Sequence, residues 1–202
     1  YYYDLKNSPL SGVISLEDIR KYPWPDPDDP GILQGLKERI DWIRKHTDCA
    51  AVLAVPPPFI HISQYLRGFE DWYCDIALGA NVFDALCDAV LEVSLEMSKK
   101  VLEAVGNEVD VVVVGDDIGA QQGLQISPAH YANYVKSRHA KYFQQVHDLS
   151  GAKLLYHTCG SVVDIIEDLV EIGVDAIHPV QVSAAAAICG DSNPSAGLPG
   201  TV

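Results

Sequence analysis

Short unbroken apolar runs alternate along this chain with longer stretches of helical period. "AAVLAV" (Ala50 to Val55) is apolar throughout and is closed by Pro56, Pro57 and Pro58, which predicts a buried strand. "VDVVVV" (Val109 to Val114) is β-branched and continuous, as a strand covered on both faces would be. "AKLLYH" (152–157) and "VDAIHPVQ" (174–181) predict two further strands. Between them lie amphipathic helices. From Asn81 to Gly106, the residues Val82, Leu86, Ala89, Val90, Val93, Met97 and Val101 form one stripe, with Asn81 as cap and Gly106 as stop. Ser127-Pro128 opens a second helix, and Ser161 is expected to cap a third, which turns Val162, Ile165, Ile166, Leu169 and Val170 inward. Before the first strand, Ile32, Leu36, Ile40 and Ile43 recur at helical spacing. The first thirty residues, with "KYPWPDPDDPG", are expected to be extended or turn-like.

Buried strands alternating with amphipathic helices predict an α/β domain with a parallel sheet. "GDDIGAQQG" lacks the glycine spacing of a dinucleotide loop, so the expected architecture is a partial (β/α)8 TIM barrel. Whole barrels need about 250 residues, and this chain of 202 shows about four clear strands. The barrel part is expected to span residues 1–185. Residues 186–202 keep neither period and are expected to form an off-pattern, disordered tail.

Composition narrows the partners. Lys and Arg total 14 against 28 Asp and Glu, a formal net charge of -14 that repels nucleic-acid phosphates and anionic lipid surfaces. No apolar run approaches the ~20 residues of a membrane span. The five cysteines are irregularly spaced in a long chain, which points to a reducing cytoplasm. Cys74 and Cys87 read as small buried apolar residues. His46, His61, His130, His139 and His147 have no evident partner.

The candidate chemistry lies where the strands end. Pro56–Phe59 follow the first, Gly115, Asp116 and Asp117 the second, His157 and Cys159 the third, and His178 to Gln181 the fourth. In a barrel these ends converge on one face, where active sites sit. His157 and Cys159 stand two residues apart, so in extended chain both side chains point the same way and suit one zinc ion. A catalytic zinc usually takes three protein ligands; Asp116, Asp117 or His178 could be the third or stand behind a ligand. Asp116 could also fix a substrate hydroxyl or ammonium and line the pocket with Gln181; Asp117, adjacent to it, points to the opposite face in extended chain, so at most one of the two lies in the pocket if the strand continues, and Asp117 is the weaker candidate.

"KYPWPDP", "AVLAVPPPFIHISQYLRGFEDW", "VDVVVVGDDIGAQQGLQISPAHY" and "YHTCGSVVDIIEDLVEIGVDAIHPVQ" occur in an order that resembles the uroporphyrinogen decarboxylase superfamily over roughly Tyr1 to Ala185. The last two are similar to its branch related to corrinoid-dependent methyltransferases. The resemblance implies the (β/α)8 fold and a cytoplasmic enzyme. In that branch, zinc bound by His-x-Cys and a later Cys activates a small thiol, such as coenzyme M, which takes a methyl group from a corrinoid protein. The first two ligands map onto His157 and Cys159, and the third is missing from this chain. The metal-free decarboxylases of porphyrin biosynthesis instead hold the acetate arms of a tetrapyrrole with Arg and Asp from an N-terminal part absent here. Tyr65 matches one of their substrate-contacting tyrosines, but Asp116 stands where they carry a Ser, and His-Thr-Cys-Gly is not their pattern. The expectation is therefore a zinc-dependent methyltransferase-like enzyme, with Asp116 catalytic, Tyr65, Asp117 and Gln181 binding substrate, and His157 and Cys159 holding metal. The alternatives are a tetrapyrrole decarboxylase and a non-catalytic barrel fragment that only binds a corrinoid partner. The isolated chain is expected to be poorly stable or inactive.

Overall fold

The computed structural model describes residues 5–184. The expectation for residues 186–202, and Cys189 with it, lies outside them. Four strands, β1 (Val52–Ala54), β2 (Val111–Gly115), β5 (Lys153–His157) and β6 (Ala176–His178), form one sheet in the order β1-β2-β5-β6, every pair parallel. Neighbours in space are successive in sequence along this sheet, which is the connectivity of an arc of a (β/α)8 barrel. The short strands β3 (Gly119–Ala120) and β4 (Gly123–Leu124) form a separate hairpin after β2.

Three of the strand faces can be read from side-chain alternation. Leu53, Val112, Val114, Leu154 and Tyr156 point to the helical layer and are buried. The other face carries Val52, Val111, Val113, Leu155 and His157, none of them fully buried, and Val52 is 60% exposed. Asp110 and Asp175 each immediately precede a strand and tie it to its neighbour: Asp110 accepts from the Ala51 N–H at 2.7 Å and Asp175 from the Leu154 N–H at 2.9 Å. The same Val-Asp pair thus sets the register at both seams.

Helices α1 (Leu16–Lys21) and α2 (Leu36–His46) precede the sheet. α1 departs from the extended start expected from the sequence. Ser15 and Asp18 form a reciprocal capping box there, enough to nucleate a helix of 6 residues before the prolines. Gly35, in the left-handed conformation, separates α2 from the 3-10 turn at Pro30–Leu33, so the apolar repeat from Ile32 is split in two. Between β1 and β2 run α3 (Ile60–Arg67), α4 (Phe69–Leu78) and α5 (Asn81–Val105). The buried face of α3 mixes Ile60 with Ser63, Gln64 and Arg67, and α4 carries a short stripe of Phe69, Trp72, Tyr73 and Ile76; neither helix is among those expected from the sequence.

α5 is rotated from the expected stripe. Leu86, Val90 and Val101 are buried as anticipated, but Cys87, Leu91, Ser94 and Ser98 share the buried face, while Val82, Val93 and Met97 are only partly covered. Serines admit close approach of the next helix: Gln145 donates to both Ser98 Oγ and the Leu95 carbonyl at 2.9 Å. That next helix runs from α6 (Pro128–His130), capped by Ser127, through a π-helical stretch at Tyr131–Val135 into α7 (Lys136–Leu149). The last helix, α8 (Ile166–Glu171), follows a 3-10 turn at Val163–Ile165. Ser161 does not cap it; its backbone N–H is donated to Ala120 across the hairpin. Val162, Ile165 and Leu169 are buried as expected, whereas Val170 faces solvent. Cys87 is buried and Cys74 is exposed, which corrects the expectation for the latter. No described helix is long and apolar enough to cross a membrane.

Candidate metal centre at the strand ends

The C-terminal ends of β2, β5 and β6 stand level, with Gly115, His157 and His178 paired in register. Leu154 and Tyr156 point into the helical layer, so alternation turns His157 to the opposite face. Cys159 follows on the same side. Its Sγ lies 3.6 Å from His157 Nε2. Asp117 arrives from the loop after β2: its Oδ1 is 3.9 Å from His157 Nε2 and accepts a hydrogen bond from the Cys159 N–H at 2.9 Å. One donor atom from each of Asp117, His157 and Cys159 lies within 4.8 Å of the other two.

These separations fit a small divalent ion. Zinc bonds of about 2.0–2.3 Å in tetrahedral geometry put ligand atoms roughly 3.3–3.8 Å apart. The sulfur–nitrogen distance already matches, and the carboxylate oxygen, 3.9 Å from the ring nitrogen, would have to close in on the other two donors. Without a cation the thiol is poorly disposed to ionise: partial burial pushes the Cys159 thiol above its ordinary range, and the Asp117 carboxylate adds to the rise. A bound cation reverses that logic, because it favours the thiolate directly.

Two loops interlock to hold the set. Gly119 packs so closely on the Cys159–Gly160 backbone that an added Cβ would lie 2.3 Å from the Cys159 carbonyl oxygen. Gly160, at φ +81, meets Ala120 in the same way. Gln181 accepts from the Gly160 N–H at 2.8 Å and donates to Gln121 Oε1 at 2.8 Å, and Gln121 in turn donates to the Ser183 carbonyl. Thr158 Oγ1 accepts from the Ile118 N–H. Gln181 therefore stands beside the cluster as a brace for the Cys159–Gly160 turn.

Asp116 sits elsewhere than a pocket-facing role requires. Its side chain is buried, and its two oxygens accept from the N–H groups of Phe59, Ile60 and His61 at 3.1, 2.9 and 2.8 Å. His139 Nε2 approaches the same carboxylate at 3.2 Å. The expectation of a substrate-facing Asp116 gives way to an anchor beneath the face, fastening the start of α3 to the end of β2. His139, expected to have no partner, is fully buried against it. Strand parity distinguishes the two aspartates: Asp116 continues the helix-facing series Val112 and Val114, and Asp117 continues Val113 and Gly115.

Tyr65 lies on α3, where its ring packs edge-on between His61 and Phe69, with centroids 4.5 and 6.0 Å away. It does not join the Asp117–His157–Cys159 cluster. The sequence reading also missed Gln125. Its amide donates to the Gly119 carbonyl, and its oxygen accepts from Gln64 and Tyr73, so it links the hairpin to α3 and α4.

Comparison with known proteins agrees with this architecture. Among solved structures the chain is similar to a methyltransferase from Methanosarcina mazei, at a TM-score of 0.57 and 20% identity, covering 73% of this chain. It spans only 40% of that protein's length. No curated protein matches the sequence. The family model described as uroporphyrinogen decarboxylase (URO-D) matches residues 7–193, nearly the whole chain, and the chain belongs to that family.

Proposed function

We propose that this chain carries the metal-binding part of a zinc-dependent methyltransferase, of the kind that moves a methyl group from a corrinoid carried by a partner protein to a small thiol. The convergence of Asp117, His157 and Cys159 at the strand ends supports it most directly. Similarity of fold to a methyltransferase is in keeping with it. His157 Nε2, Cys159 Sγ and an Asp117 oxygen would hold the ion. When bound, zinc keeps a thiol in its thiolate form at neutral pH, the stronger nucleophile for methyl transfer.

The chain's own residues prepare that site. Asp117 has two tasks, since one oxygen both grips the Cys159 backbone and faces the imidazole. Gln181 holds the Gly160 turn, which keeps Cys159 Sγ on the His157 side. A thiolate and a carboxylate together offset the charge of a divalent ion, which leaves an incoming thiolate the only uncompensated charge. Among the described residues Asp117 is the third donor beside His157 and Cys159. Asp116 acts through α3 and not on substrate.

The second reading, a metal-free decarboxylase acting on a tetrapyrrole, draws on the part-exposed aromatic row of His61, Tyr65 and Phe69, whose edge-to-face rings offer aromatic contacts for a large ring. The test is metal content. The methyltransferase reading expects about one zinc per chain after reconstitution, and loss of it in His157→Ala and Cys159→Ala. A folded chain that takes up no zinc refutes that reading; it then favours either the decarboxylase or a barrel segment that only binds a corrinoid partner.

A further inference from the structure

His157 and His178 stand side by side at the ends of β5 and β6. Their Nδ1 atoms are 3.0 Å apart, and the rings are tilted by 39°. Two lone pairs repel at that distance, and so do two N–H groups. One ring therefore donates and the other accepts. Among the described residues no carboxylate or carbonyl competes for His157 Nδ1.

The opposite nitrogen of the same ring, Nε2, faces Cys159 Sγ and Asp117 Oδ1. A neutral imidazole carries one N–H. Nε2 presents a lone pair to that cluster only when the proton is on Nδ1, and His178 Nδ1 must then be the acceptor. We propose that His178 is a positioning residue: by accepting from His157 Nδ1–H it fixes the tautomer and the ring orientation in which His157 Nε2 serves as a metal ligand. His178 is not itself in the donor set, since its Nδ1 lies on the far side of the His157 ring. The backbone reinforces the arrangement, because the Thr158 N–H donates to the His178 carbonyl at 2.9 Å and clamps β6 to the residue between His157 and Cys159. Partners behind a ligand histidine commonly change metal affinity by about 10- to 100-fold.

The inference rests on the zinc reading for its consequence, but its geometry can be tested without metal. In the metal-free, nitrogen-15-labelled chain, NMR should detect coupling across an N–H···N hydrogen bond between the two Nδ1 atoms. Its absence overturns the inference and leaves zinc binding standing. Zinc affinity is then measured by competition with a chromophoric chelator. His178→Leu, which removes the acceptor, should weaken binding by about 10- to 100-fold. His178→Asn, whose Oδ1 can take the place of Nδ1, should restore most of the loss, and zinc-bound wild type should show His157 protonated at Nδ1. Equal zinc affinity in wild type and His178→Leu overturns the inference alone. A wild-type chain that shows the coupling yet binds no zinc overturns the methyltransferase reading, and the positioning role with it.

Discussion

Replacing Asp116 tests how the strand-end face is supported. Its carboxylate accepts three backbone N–H groups at the start of α3 and meets His139 Nε2. Phe59 and Ile60, which supply two of those donors, are 0% and 1% exposed. In Asp116→Ala both donors and the imidazole lose their partner inside the protein. Each buried group left unpaired costs about 1–3 kcal/mol, and removing one side of a buried polar pair about 3–5 kcal/mol. Relief from burying the carboxylate offsets part of this. The expected net loss is on the order of 4 kcal/mol for Ala and about 2 kcal/mol for Asn, which keeps one accepting oxygen. With a urea slope of about 2–3 kcal/mol per molar, the Ala midpoint should fall by roughly 1.3–2 M. Urea unfolding followed by circular dichroism measures this, and hydrogen exchange should show Phe59, Ile60 and His61 losing protection first. The Asn variant keeps the test informative if Ala leaves too little stability to fold. A midpoint for Asp116→Ala within about 0.3 M of wild type, at unchanged slope, refutes the anchor.

Further predictions follow from other contacts. Arg67, 8% exposed in its side chain, donates to the Leu10 and Gly12 carbonyls and pairs with Asp75 at 2.7 Å, so Arg67→Ala should cost about 3–5 kcal/mol in the same unfolding assay and release the segment before α1 to protease. Gly160→Ala should lower thermal stability and zinc affinity together, because a Cβ there meets Ala120 N at 2.5 Å and φ is +81; an unchanged melting temperature contradicts the interlocked loops. Cys159 titrates above the ordinary thiol range in the metal-free chain, so it is protonated at neutral pH and becomes a thiolate only as pH rises through that raised value. Iodoacetamide should therefore label it slowly at pH 7 and faster as the pH is raised, and zinc should protect it; fast labelling at pH 7 without metal contradicts the environment described.

Much of the fold was legible because the strands are short and uniformly apolar. Each of the four strands coincides with a run identified from sequence, β2 passing its end by one residue at Gly115, since β-branched residues between helical stretches leave few other structures open. α3 and α4 were not legible. α3 starts where Asp116 holds its first N–H groups, which leaves no local mark, and its buried face is mostly polar; α4, with its repeat of Phe69, Trp72, Tyr73 and Ile76, is only 10 residues long. α5 was legible in extent but not in facing, because Ser94 and Ser98 are buried for their small size and not for their apolarity.

The candidate site was half legible. His157 and Cys159 follow from strand alternation alone. The choice between Asp116 and Asp117 was also written in alternation, in the parity of Val112 and Val114, but only once β2 is known to continue through Gly115. The hairpin of Gly119–Leu124 was invisible, since two-residue strands have no pattern, and with it went the roles of Gly119, Gln121 and Gln125. Gln181 was picked out for its place at a strand end. Its contacts with Gly160 and Gln121 depend on that hairpin.

The central claim is that Asp117, His157 and Cys159 hold a metal ion. The most direct measurement is cobalt(II) titration of the full chain followed by its visible absorption. A thiolate-ligated tetrahedral site should give a sulfur-to-cobalt charge-transfer band and intense ligand-field bands at one equivalent. Zinc should displace them, and Asp117→Ala should weaken binding while Asp116→Asn leaves the spectrum unchanged. A folded chain that gives no thiolate band, or one whose band survives in Cys159→Ala, contradicts the account.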